Sequence, residues 1–199
     1  MKEKWNERYS APEFIYGTEP NEFFKRQLNK LTYGRLLLPG EGEGRNAVYA
    51  AKLGWKVDAF DFSEAAKRKA QYLAESKNVT IQYTIASYTE FLFPPKKYDA
   101  IGLLYAHMPS MVRSTIHKKV IESLKPNGNV IFEAFHKDQL NYSSGGPKDP
   151  DMLYNEDELA EDFKELNIIL LEKQKIHLAE GTFHKGDAVV VRMSGKIAS

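Results

Sequence analysis

Apolar and polar positions along the chain follow two periods in turn, and their alternation predicts the fold. Short apolar runs bounded by glycine, proline or acidic residues read as strands: "GRLLLP" (34–39), "KVDAFD" (56–61), "TIQYTIA" (80–86), "DAIGLLY" (99–105) and "NVIFEAF" (129–135). Between them lie segments with helical spacing. One runs from Asn46 to Leu53 and stops at Gly54, and a second is capped by Ser63 and runs to about Lys77. A third carries Val112, Ile116, Val120, Ile121 and Leu124 on one face and ends at the turn "KPNG" (125–128). Strand and helix in repeated alternation predict a parallel sheet with helices on both faces.

The last third breaks this rhythm. Residues 136–152 are polar and rich in glycine and proline, the composition of a long loop that serves as a lid or binding loop. Asn155 and Glu158 make a capping-box pattern for a helix to Leu166. "NIILLEKQKIHL" (167–178) and "DAVVVRM" (187–193) then read as strands whose connection is too short for a helical crossover, so they form an antiparallel hairpin. The expected fold is α/β: a Rossmann-like, doubly wound, mostly parallel seven-stranded sheet with a C-terminal antiparallel hairpin. It forms one domain over 1–199, with an N-terminal helical lid segment (1–33) on a Rossmann-like core (34–199).

Composition narrows the function. The chain has 199 residues, a formal net charge of +1 and no cysteine. Disulfides, thiolate metal sites and cysteine nucleophiles are excluded. Near-neutrality argues against a nucleic-acid partner. No apolar run approaches the roughly 20 residues that span a bilayer, and the N-terminus lacks a signal-peptide core. A cytoplasmic protein with a small-molecule ligand is expected; oligomeric state is not encoded in any readable pattern.

Candidate chemistry centres on "LLLPGEGEGRNAVYAA" (36–51), which joins the first strand to the first helix. Open parallel sheets bind ligands beyond the C-terminal ends of their strands, where glycines let a ligand approach the backbone and a helix start offers free N–H groups. Asp61 ends the next strand about 20 residues on, where a carboxylate accepts hydrogen bonds from ribose hydroxyls. Two cofactors fit. Gly42, Gly44 and Ala47 match a dinucleotide fingerprint, and Gly40, Gly42 and Gly44 match the loop of S-adenosylmethionine (SAM) enzymes. The acidic spacers Glu41 and Glu43 would repel a pyrophosphate and suit the cationic SAM. Arg45 at the helix start is either an anion contact or a surface arginine paired with a glutamate.

Five histidines are candidates for proton transfer. His107, after the fourth strand, ranks first, the alternative being a solvated loop histidine. His136, after the fifth, is placed on the substrate side of the cleft, and His184 in the hairpin turn. His117 is assigned to the polar side of its helix and His177 to an exposed strand face. Their spacings match no metal motif, so no metal is expected. Trp5, Tyr9, Tyr16 and Phe24 make the N-terminal segment aromatic; these rings either fold over the site as a lid that shapes an apolar pocket or anchor the terminus to the core. Asp157, Glu158, Glu161, Asp162 and Glu165 read as a solvated helix face.

Five segments carry a family resemblance: "WNERYS…FIYGTEPNEFF", "PGEGEGRNAVYAAKLGWKVDAFDFS", "YDAIGLLYAHMP", "LKPNGNVIFEAF" and "GGPKDPDMLYNEDEL…LAEGTFHKGDAVVVR". Through them the chain resembles class I SAM-dependent methyltransferases, and in particular the small bacterial tellurite-resistance or thiopurine methyltransferase-like group. The resemblance implies that Gly40, Gly42 and Gly44 face the methionine part of SAM and that Asp61 holds the ribose. It also implies that Phe62 packs on the adenine, that Ser87 and Tyr88 line its edge, and that Tyr105 borders the reacting methyl. The group usually has an acid at the position of Leu38 and often aspartate at Ser87. Glu41 is the candidate substitute for the former. The implied function is methyl transfer from SAM to a small acceptor, including soft nucleophiles such as thiol, selenium or tellurium species. The alternatives are an NAD(P)-dependent oxidoreductase and a SAM-binding protein without turnover.

Overall fold

A computed structural model describes residues 2–198. Seven strands form one sheet in the order β3-β2-β1-β4-β5-β7-β6. They are β1 (Arg35–Pro39), β2 (Lys56–Asp61), β3 (Gln82–Ile85), β4 (Tyr98–Leu104), β5 (Leu124–Phe135), β6 (Leu166–Glu180) and β7 (His184–Ile197). β1 to β5 pair in parallel, and β7 runs antiparallel to both β5 and β6. This is the expected architecture, with the hairpin inserting β7 beside β5 and leaving β6 at the edge. The hairpin strands run longer than their apolar runs suggest, because on the edge strand β6 alternate side chains face solvent. The turn Lys125–Gly128, with Asn127 at φ 65°, lies within β5 and shifts the pairing between Tyr98 and Ala100.

Strict alternation along the central strands builds two cores. Leu37, Ile101, Leu103, Val130 and Phe132 face one side, where they pack against α5 (Ser110–Ser123) and α6 (Glu156–Asp162). Leu36, Leu38, Ala100 and Ile131 face the other, against α2 (Glu22–Leu28), α3 (Arg45–Lys52) and α4 (Glu64–Ser76). Side chains at successive strand positions point to opposite faces, so each buried strand feeds both layers.

The caps follow the sequence pattern. Ser63 accepts a hydrogen bond from Ala66 N, and Asn155 accepts one from Glu158 N. α6 ends at Asp162, shorter than expected, because the fully buried Phe163 turns the chain into β6. α1 (Lys2–Tyr9) lies over α4, whereas α2 is a core helix carrying Phe23, Phe24 and Leu28. The aromatic N-terminal segment therefore divides: Phe24 belongs to the core, not to a lid.

Two expectations about polar residues are corrected. His117 is fully buried: α6 packs across the flank of α5 that looked polar, and Asp162 bonds His117 Nδ1 at 2.8 Å. Glu158 and Asp162 are not a solvated face, for both pair with the buried Arg113. A second buried network ties layers together. Asn21 caps α2, its Nδ2 donates to Glu133 of β5, and Glu133 pairs with Arg192 of β7 at 2.6 Å.

Candidate active site

The C-terminal ends of β1, β2 and β4 open into a cavity of 1490 Å³. Its lining includes Gly40, Glu41, Arg45, Asp61, Phe62, Ser87, Tyr88, Tyr105 and His107, together with Trp5, Tyr9 and Tyr16 from the N-terminal segment. Of the cofactor, substrate and lid candidates named from the sequence, Phe24, Gly42, Glu43, Gly44 and His136 do not line it.

The glycine loop is shaped by close approaches. Gly40 has φ 64°, and a Cβ there would stand 2.1 Å from the Tyr88 hydroxyl. Gly44, at φ 89°, faces α4 rather than the cavity: a Cβ would fall 2.6 Å from Ala70 Cβ and 2.8 Å from its Cα. It is needed for helix packing, the role of a third glycine in such loops.

The two acidic spacers diverge. Glu43 points away from the cavity and clamps the N-terminal segment, accepting from Ile15 N at 2.8 Å and pairing with Lys69 at 2.7 Å. Paired there, it does not bear on a ligand, and Glu41 is the one acidic spacer that lines the cavity. Glu41 accepts from Asn46 N and Ala47 N at 2.9 and 2.8 Å, which caps α3 where Gly44 offers no side chain. Burial pushes its pKa up to about 7 despite those bonds. Asp61 accepts from Ser63 N and Gly42 N, and burial pushes it up to about 6. Among the described residues neither carboxylate has an ion-pair partner. Arg45 acts on Glu41 only through space, so two desolvated acids outside any ion pair fit a cationic, hydroxyl-bearing ligand such as SAM.

Arg45 is neither on the surface nor free. It is buried, pairs with Glu180 at 3.0 Å and donates to the Tyr16 carbonyl. Ser87 is engaged by its own turn, with its hydroxyl 2.7 Å from Glu90. His136 turns away from the cavity. Its Nδ1 accepts from Asp138 N and its Nε2 lies 3.2 Å from Glu156, because the chain leaves β5 toward α6 at that point.

Tyr105 stands at the end of β4 with φ 52°, an uncommon conformation for a non-glycine residue. Its carbonyl accepts from His107 N at 2.9 Å, a tight turn that brings both rings to the cavity. The Tyr105 hydroxyl is buried without a hydrogen-bond partner. His107 Nδ1 donates to the Met152 carbonyl at 2.8 Å, which leaves Nε2 as the unprotonated nitrogen, and Nε2 has no partner. Burial pushes His107 down to about 4, so the imidazole is neutral. His184, at the start of β7, packs among Tyr16, Tyr105 and Phe135 with ring centroids 4.4, 4.6 and 5.3 Å away. Its position in the wall was not legible from spacing. The sequence signal was the segment "AEGTFHKG", whose glycine-bounded turn carries Glu180 and His184 together.

Residues 37–128 match a family described as a methyltransferase domain. No curated protein matches the chain. Solved structures match along most of its length. One, from work on the conversion of a disulfide bond into a thioacetal group during echinomycin biosynthesis, superposes with a TM-score of 0.77 at 15% identity, over 100% of this chain and 92% of that one. A SAM-dependent methyltransferase from Methanosarcina mazei gives 0.71 at 16%, over 90% and 99%. TehB from Haemophilus influenzae gives 0.72 at 16%, over 98% and 66%. The chain has the class I SAM-methyltransferase fold.

Proposed function

We propose that this protein transfers the methyl group of SAM to a small-molecule acceptor. The observation that carries this reading is the pair of desolvated carboxylates, Glu41 and Asp61, neither in an ion pair among the described residues, in a cavity also lined by Tyr105 and His107. Asp61 would accept from the ribose hydroxyls and Glu41 from the ammonium, with Phe62 and Tyr88 beside the adenine. SAM supplies an electrophilic methyl on a sulfonium. The chain aligns the acceptor and excludes water, and Trp5, Tyr9 and Tyr16 provide the cover. His107 accepts a hydrogen bond from the acceptor at Nε2 and can hold its proton there. A neutral imidazole pushed down to about 4 is a weak base. It favours acceptors that need little deprotonation, and we place thiols and related soft nucleophiles first. The sulfur chemistry named for the echinomycin structure supports that choice.

Calorimetric titration with SAM, S-adenosylhomocysteine and NAD(P) tests the cofactor. Binding of the first two is expected; binding of NAD(P) alone overturns the reading. Methyl transfer to a panel of thiols, selenols and N-heterocycles then separates an enzyme from a SAM sensor.

A further inference from the structure

Building on the methyltransferase reading, we propose that Arg8 is an anion seat at the acceptor end of the cavity, and that the acceptor carries an acidic group remote from its nucleophile. Arg8 projects from α1 into the junction of two cavities, the large one and a smaller one of 240 Å³ lined by Ser143–Gly146, Thr182–Lys185 and Tyr16. Its guanidinium lies 4.6 Å from the ring centroids of both Trp5 and Phe183, and Nη1 donates to the Tyr16 hydroxyl at 3.1 Å. The group thus lies against two rings, and among the described residues the Tyr16 hydroxyl is its one hydrogen-bond acceptor. Among the described residues no carboxylate lies within ion-pair distance of it. The nearby acid, Glu180, is already matched by Arg45 at 3.0 Å and His184 at 3.1 Å.

The contrast with Arg45 carries the argument. Arg45 is neutralised inside the protein and serves the fold. Arg8 is equally positioned but left with its charge. Lys185, which has no ion-pair partner among the described residues, adds a second cation in the lining of the smaller cavity. Arg8 connects to the reaction end through ring contacts: Tyr16 touches His184, and His184 touches Tyr105. An acceptor whose nucleophile sits at Tyr105 and His107 therefore reaches Arg8 across two ring widths. A planar guanidinium with paired N–H donors selects a carboxylate, phosphate or sulfonate. The cavity is then polarised, acidic where the cationic cofactor lies and basic where the acceptor's acid lies.

The test titrates benzoate, phenyl phosphate, inorganic phosphate and neutral benzamide into the protein saturated with S-adenosylhomocysteine, and into the ligand-free protein. Benzoate or phenyl phosphate should bind about tenfold more tightly than benzamide. Arg8→Gln should abolish that preference while leaving S-adenosylhomocysteine affinity and the melting temperature unchanged. Arg8→Lys, which keeps the charge but not the planar fork, should retain part of it. Equal binding of benzoate and benzamide, an undiminished preference in Arg8→Gln, or inorganic phosphate binding as tightly as phenyl phosphate overturns the proposal. If S-adenosylhomocysteine fails to bind, the methyltransferase reading falls. The anion preference of the ligand-free protein still reports on Arg8 separately.

Discussion

Two carboxylates that sit near neutrality set how the cofactor end responds to pH. Asp61 is pushed up to about 6 and Glu41 to about 7 by burial. A cationic ligand needs both ionised, so its binding competes with protonation. SAM affinity should fall as pH drops from 7.5 toward 5, approaching about tenfold per pH unit for each carboxylate that must lose a proton. Calorimetry across that window measures the slope. Glu41→Gln should flatten its upper part, and Asp61→Asn should weaken SAM about tenfold or more by removing the charged ribose acceptor. A pH-independent affinity would show that neither acid meets the cofactor. Placing Asp61 at a strand end was legible in the sequence, since strand and loop lengths fix it. The separate duties of Glu41 and Glu43 were not. Alternate residues of an irregular loop follow no period, and only the backbone turn at Gly42 sends one acid inward and the other to Lys69.

Among the elements, the N-terminal strap is what the sequence described least well. The chain at Ile15–Gly17 passes between the glycine loop and the tip of the β6–β7 hairpin. Glu43 holds it from one side, and Thr182 N donates to the Ile15 carbonyl at 2.9 Å from the other. Gly181 makes that approach possible: at φ 67°, its Cβ would fall 2.2 Å from the Ile15 carbonyl oxygen. Gly181→Val should therefore dislodge the strap and α1 without opening the sheet. The expected result is faster tryptic cleavage at Arg8 and SAM binding weakened by about 1–3 kcal/mol, with far-ultraviolet dichroism unchanged. Strands and helices of the core were readable because burial imposes periods of 2 and 3.6 on them. His117 was misread because a second helix, α6, covers α5 from a side that no periodicity within α5 announces. His136 was misplaced because the strand-end rule locates a residue along the sheet but not the direction in which the chain then leaves.

For the whole molecule, the cavity joins the sheet end at β1, β2 and β4 to the hairpin tip, the loop after β5 and the aromatic face of α1. A ligand that fills it should act as a tie between lid and core, and its effect should appear in global stability. S-adenosylhomocysteine at a hundredfold excess over its dissociation constant contributes about 2.7 kcal/mol if it binds only the folded state. For a chain of 199 residues this corresponds to a rise in melting temperature of roughly 5–10 °C. Removing the ring of Trp5 tests whether the lid shares in that coupling. Trp5 stacks on Tyr9 at 5.4 Å and is only half-buried, so Trp5→Ala should shift the ligand-free melting temperature little. It should cut the ligand-induced rise by about half, because one face of the enclosed ligand is returned to water. An undiminished rise in Trp5→Ala, measured by differential scanning calorimetry at the same S-adenosylhomocysteine concentration as the parent protein, would separate the lid from cofactor binding and leave it to the acceptor alone.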